Sequence, residues 1–138
     1  PDYNADQGIQ IFTYSLLPHE HALQKSNVLQ EAAILNRAPL FAVGANTADQ
    51  SPFRVEGPGL NLEVMKRAEK EDSLILRIIE TDGTFSTGIL HTTLKGIQIA
   101  ETDLLEWHDQ KAISMDAEHP LSLSFKPFEI RTYKIRME

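Results

Sequence analysis

The side chains able to do chemistry in this chain are histidines and carboxylates, and they are scattered. His19 and His21 flank Glu20 immediately after Pro18. A His-x-His pair can give zinc two ligands, but only on a strand, where alternate side chains share a face, and only with a third ligand from elsewhere. Here the pair sits where an alternating run gives way to a helical one. Two-ligand patterns are non-specific, so the weightier expectation is that His19 hydrogen-bonds a helix end or a neighbouring loop. His91, His108 and His119 are far apart, with no Ser or Cys nucleophile pattern beside them. They predict surface or half-buried histidines, not a triad.

Carboxylates are plentiful: Glu63, Glu80, Asp82, Glu101, Asp103, Glu106 and Glu129. Glycoside hydrolysis needs two of them at a defined separation, one with a tuned pKa, and spacing along a chain does not give that separation. Glu80 follows an apolar run and Glu129 interrupts one, so either is a candidate for partial burial. A buried glutamate near Arg77 or Arg131 reads first as a structural ion pair. Trp107 and three tyrosines are a thin supply for a sugar-stacking platform, and Tyr14 and Tyr133 fall in runs that read as core strands.

The elements that must position these groups centre on residues 60–80. Leu60, Leu62 and Val64 alternate with polar residues, and Leu74, Leu76 and Ile78 repeat the phase after a charged stretch at 68–73. Period-two alternation predicts two antiparallel strands with one face on a core; a short helix within 68–72 stays open. Upstream, residues 9–17 alternate with apolar groups on both faces, Ile9 and Ile11 against Phe12, Tyr14 and Leu16, which predicts a strand well inside a sheet. From about residue 20 to residue 35 the period becomes helical, giving one amphipathic helix packed on a sheet or its edge. Asn36-Arg37-Ala38-Pro39 ends it.

Residues 40–43 read as a short strand and 44–58 as a polar loop. Turns fall at Thr81-Asp82-Gly83-Thr84 and Lys95-Gly96. Strands are expected from Gly88, from Ile97, near Ala112 and Ile113, at Leu121, Leu123 and Phe125, and from Phe128 to Met137 with a bulge near Thr132. Eight or nine strands at spacings of roughly ten residues predict an all-β fold, a mainly antiparallel β-sandwich with one helix near 20–35.

The 138 residues are expected to form a single domain with its own core. A hydrophobic content of 41% and a charged content of 24% are ordinary for a soluble globular protein. No apolar run approaches membrane length. A net charge of −7 argues against a nucleic-acid backbone as partner, which needs clustered Lys and Arg. With no cysteine there is no disulfide framework and no thiolate metal site. The compartment stays open, with the cytoplasm favoured.

Four segments in order also resemble the C-terminal region of α-mannosidases of glycoside hydrolase family 38. They are Phe12-Thr13-Tyr14-Ser15-Leu16-Leu17-Pro18-His19; Leu62 to Glu69 with Ile75 to Glu80; Asp103-Leu104-Leu105-Glu106; and Pro127-Phe128-Glu129-Ile130-Arg131-Thr132. The resemblance implies that a chain beginning at Pro1 is a piece of a longer enzyme, whose zinc, held by His and Asp, and nucleophilic aspartate belong to an N-terminal catalytic domain. No such motif is present here, so no catalytic, cofactor-binding or metal residue is carried over. The implied role is that of a C-terminal, non-catalytic sandwich. It would pack on the parent's other domains and support hydrolysis of α-mannosidic bonds, with mannose-containing glycans reached through the parent. An independent carbohydrate-binding sandwich and a generic interaction domain are the alternatives. Phe41, Phe53, Phe85 and Trp107 have no obvious core position and are the candidates for an interface with other domains.

Overall fold

The structure is a computed structural model that describes Tyr3, Ala5, residues 7–37, Val43 and residues 51–137. The chain divides into two compact units, Pro1–Phe41 and Ala42–Glu138. The second is built from eight strands: β1 Phe53–Glu56, β2 Leu60–Arg67, β3 Leu74–Glu80, β4 Ser86–Thr92, β5 Ile97–Thr102, β6 Ile113–Met115, β7 Leu121–Phe125 and β8 Ile130–Met137. They form a three-stranded sheet in the order β1-β4-β7 and a five-stranded sheet in the order β2-β3-β8-β5-β6, antiparallel throughout. The β-sandwich fold class read from the sequence is the one observed, and both sheets lie within residues 53–137.

The core lies between the sheets. Phe53, Leu90, Leu123 and Phe125 come from the small sheet, and Leu76, Ile78, Ile97, Ile99, Tyr133 and Ile135 from the large one. Each set follows strand parity, since residues i and i+2 share a face. β2 and β3 pair as the alternation predicts, and no helix forms between them. The pairing slips between Leu62 and Val64, so Val64 faces Arg77 and Met65 faces Leu76. This bulge turns the second half of β2 over, and Met65 is exposed.

Several sequence expectations are corrected. The polar loop over 44–58 contains β1, and Phe53 is buried in the core rather than held for an interface. A four-residue edge strand between Pro52 and Gly57 is too short to show a period. No bulge occurs near Thr132: β8 runs in unbroken register with both β3 and β5. The change of phase there reflects Phe128, which has φ 57° in the turn before the strand. The expected strand over 40–43 lies outside the described residues except for Val43, which is in no strand.

Two glycines are fixed by what surrounds them. A Cβ on Gly88 would sit 2.2 Å from the Glu56 carbonyl oxygen on the neighbouring strand, and one on Gly83 would meet the Phe128 ring at 2.5 Å.

In the first unit the helix α1 spans Val28–Asn36, preceded by a 3-10 turn at Leu23–Lys25. The expected single helix from residue 20 is interrupted because Ser26 is extended and its hydroxyl donates to the Leu23 carbonyl oxygen at 2.7 Å and accepts from the Val28 N–H at 3.3 Å. The helix ends at Asn36 as expected. None of its residues is buried. Residues 9–17, expected as an interior strand, form no strand. A strand needs a neighbour to take its N–H and C=O groups, and among the described residues this run has none.

Candidate functional site, a charged clamp over the five-stranded sheet

The outward face of the large sheet carries cations where a solvated face would carry mixed polar groups. Lys66 on β2, Ile75 on β3, Lys134 on β8 and Ala100 on β5 lie in one cross-strand row. Arg77, Thr132 and Thr102 form the next. Side chains directly opposite one another share a face. Ile75, Ala100 and Lys134 are nevertheless buried, because the connection after β5 crosses this face and brings Glu106 and Asp109 onto it. Glu106 itself sits at φ 66°, with its N–H donating to the Asp103 carbonyl oxygen.

Each buried charge has partners. The Lys134 ammonium lies 2.7 Å from Glu71 Oε1 and 2.9 Å from Asp109 Oδ1, and donates to the Glu106 carbonyl oxygen at 3.0 Å. Three donors thus meet three acceptors. Arg136 reaches Asp109 at 2.7 Å and Glu71 at 3.1 Å. Glu106 takes Lys66 at 2.9 Å, Arg77 at 3.3 Å and the Glu69 N–H at 3.1 Å. Arg77 also donates to the Leu104 carbonyl oxygen at 3.0 Å. The cluster ties the 68–73 loop and the connection after β5 to one sheet.

Its electrostatics oppose proton transfer. Burial pushes the Asp109 carboxyl up, but hydrogen bonds from Lys134 and Arg136 outweigh it and hold the group at about 2. Glu106 is likewise lowered: its burial raises it, and Lys66 with the Glu69 N–H more than reverse that. Burial pulls Lys134 down while Glu71 and Asp109 carry it above the ordinary lysine value. A general acid or base needs a pKa brought toward the working pH, and these groups are driven away from it. Glu80 follows the same logic without a cation. Its buried carboxylate accepts the N–H groups of Asp82, Gly83, Thr84 and Phe128 at 2.8–3.2 Å. Despite burial its pKa is lowered. It binds the turn after β3 to the turn before β8.

Residues 59–133, from the end of the first turn to the middle of β8, match the family described as the glycosyl hydrolases family 38 C-terminal beta sandwich domain. The chain belongs to that family. Alpha-mannosidase 2C1 of Mus musculus is 35% identical over 139 residues, covering 96% of this chain, and that of Homo sapiens is 36% identical over 137 residues, covering 94%. The chain spans 13% of the length of each of these relatives.

The family 38 sandwich uses the residues singled out in its sequence in structural ways. His19 Nδ1 lies 2.6 Å from the backbone oxygen of His21, the loop contact expected of it. His91 pairs with Glu56, His108 with Asp103 and His119 with Asp116. No group of three or more His, Asp or Glu is placed to hold a metal ion among the described residues. Arg77 and Arg131 do form ion pairs with glutamates, namely Glu106 and Glu101. Arg131 also lies over the rings of Phe125 and Tyr133, 5.5 and 5.6 Å from their centroids. Burial pushes the Tyr133 phenol up to about 12. Glu129 is half-buried in the turn before β8, where it accepts the Lys126 N–H at 2.7 Å. Glu63 is half-buried on β2 and accepts from Asn61, and Asp82 lies in the turn after β3. Of the four interface candidates Phe53 is core, Phe85 and Trp107 are exposed, and Phe41 lies outside the described residues.

Reading the sequence missed Lys66, Glu71, Asp109, Lys134 and Arg136. The one local signal was Lys134, a cation between the core residues Tyr133 and Ile135.

Proposed function

We propose that this family 38 sandwich is a non-catalytic C-terminal part of a larger α-mannosidase, packed on the enzyme's other domains and supporting their hydrolysis of α-mannosidic bonds. The reading rests on one observation. Nearly the whole chain aligns with a small fraction of two proteins named as α-mannosidases. Exposed apolar groups on the sandwich, among them Phe85, Leu105, Phe128 and Ile130, suit a surface that other domains cover. Mannose-containing glycans would be bound by the parent, and its divalent metal, zinc in the family resemblance, would be held by residues outside those described. Among the described residues no helix is long and apolar enough to cross a membrane.

The test is turnover of an aryl α-mannoside by the 138-residue chain, with and without added zinc, beside the longer polypeptide that contains it. The chain alone is expected to give none and the longer polypeptide to hydrolyse the substrate. Activity that follows the chain through purification and disappears on substituting one of its carboxylates overturns the proposal.

A further inference from the structure

Residues 9–17 carry large apolar side chains that stand in water. Ile9 and Ile11 are each 92% exposed, Tyr14 84% and Leu16 90%. Phe12 and Tyr14 stack with ring centroids 6.3 Å apart, which fits side chains two residues apart on one side of an extended backbone. Ile9 and Ile11 occupy the opposite parity. Among the described residues, no backbone hydrogen bond is made by residues 9–19. A stretch of about 30 Å thus combines an apolar surface on both sides with main-chain donors and acceptors that no described residue takes. The exposed apolar surface is costly in water, and the main-chain groups, which water solvates while the segment is exposed, need protein partners once it is covered.

The two features together specify the partner. Unused backbone groups ask for a strand alongside, and apolar groups on both faces ask for a sheet covered on both faces. The edges within the sandwich do not fit: β1, β6 and β7 have four, three and five residues, and β2 turns Asn61 and Arg67 to solvent. Two copies of the segment paired with each other would make a two-stranded ribbon with both faces still wet. The alignment with the mouse α-mannosidase covers 96% of this chain and necessarily contains residues 9–17, whereas the chain is 13% of that protein. Ample sequence for a receiving sheet lies outside the aligned part.

We infer that residues 9–17 are an interior strand of a sheet contributed by another part of the longer α-mannosidase, docked by main-chain pairing. This rests on the proposed place of the chain in such an enzyme. The test is hydrogen exchange, read by mass spectrometry, on the 138-residue chain and on the longer polypeptide. Amides of residues 9–17 are expected to exchange on the order of 100-fold more slowly in the longer polypeptide. Equal rates there, with new protection at Phe85 or Phe128, overturn this inference and leave the packing proposal standing. No new protection anywhere overturns both. Concentration-dependent protection in the short chain overturns it in favour of a second copy. Ile11→Asp and Phe12→Asp, one on each face, are each expected to lower the Tm of the longer polypeptide and leave that of the short chain unchanged. A loss on one face only overturns the interior position.

Discussion

Residues 9–17 and β3 carry the same pattern and meet opposite fates. Both alternate, and both put apolar groups on the two faces: Ile9 and Ile11 against Phe12, Tyr14 and Leu16 in one, and Leu76 and Ile78 against Ile75 in the other. In β3 all of these are completely buried, whereas in 9–17 they are exposed. What separates them is supply. β3 has β2 on one side and β8 on the other to take its backbone groups, a second sheet over its inner face, and the clamp over its outer face. The first unit offers residues 9–17 none of these among the described residues. Alternation therefore specifies what a segment needs, and the rest of the chain decides whether the need is met.

The largest expected effect tests this contrast directly. Leu76→Ala in the 138-residue chain should cost roughly 2–5 kcal/mol in a urea melt, since it empties a site in a packed core. Ile11→Ala in the same chain should change stability by less than about 0.5 kcal/mol, as exposed substitutions do. Equal losses would mean that residues 9–17 are packed in solution, and the contrast would fail.

The β2–β3 pair was legible because Leu60, Leu62, Leu74, Leu76 and Ile78 keep one phase across a single charged loop. The end of α1 was legible because Pro39 restricts the residue before it. The bulge in β2 was not, because Val64 and Met65 are both apolar and either could face inward. β1 was hidden by its length. The clamp was hidden for a different reason. Arg136 and Glu71 are 65 residues apart, and Lys134 and Asp109 are 25 apart; such pairs come together only when the sheet order does. Lys134 sits in β8 as an ordinary strand cation would, and only the chain crossing above it makes it buried.

The clamp gives the next effect in size, and it asks whether the outer cover of β3 contributes as the inner one does. Removing one partner of a buried pair costs about 3–5 kcal/mol. Lys66 and Arg77 keep 30% and 27% of their side-chain surface exposed, so water takes up part of the loss, and Glu106→Ala should cost about 1–3 kcal/mol. The network also sets an acid limit. A carboxyl held below its unfolded value stabilises the fold above that value and ceases to do so as it is protonated on the way down. For Asp109 the window runs from its ordinary 3.8 to about 2. Stability measured by urea midpoint should therefore fall as pH drops through this window, and Asp109→Asn should flatten that fall while lowering stability at neutral pH. An unchanged acid slope in the variant would remove Asp109 as its source.

Trp107 lies between the two extremes and carries the smallest effect. It is 58% exposed, so it has neither the full cover of Leu76 nor the isolation of Ile11. Lys70, from the loop between β2 and β3, places its ammonium 4.0 Å from the centre of the indole ring. The two residues belong to the same pair of loops that the clamp already joins through Glu69 and Glu106. If partial partnering gives partial stabilisation, Lys70→Ala should cost about 0.5–1 kcal/mol, the range of an exposed cation–π contact. Trp107→Ala should cost at least as much, and the double variant should cost less than the sum of the two single losses. Strict additivity would mean that the contact contributes nothing. Trp107 would then count, with Phe85, among the apolar groups that this chain leaves without a partner.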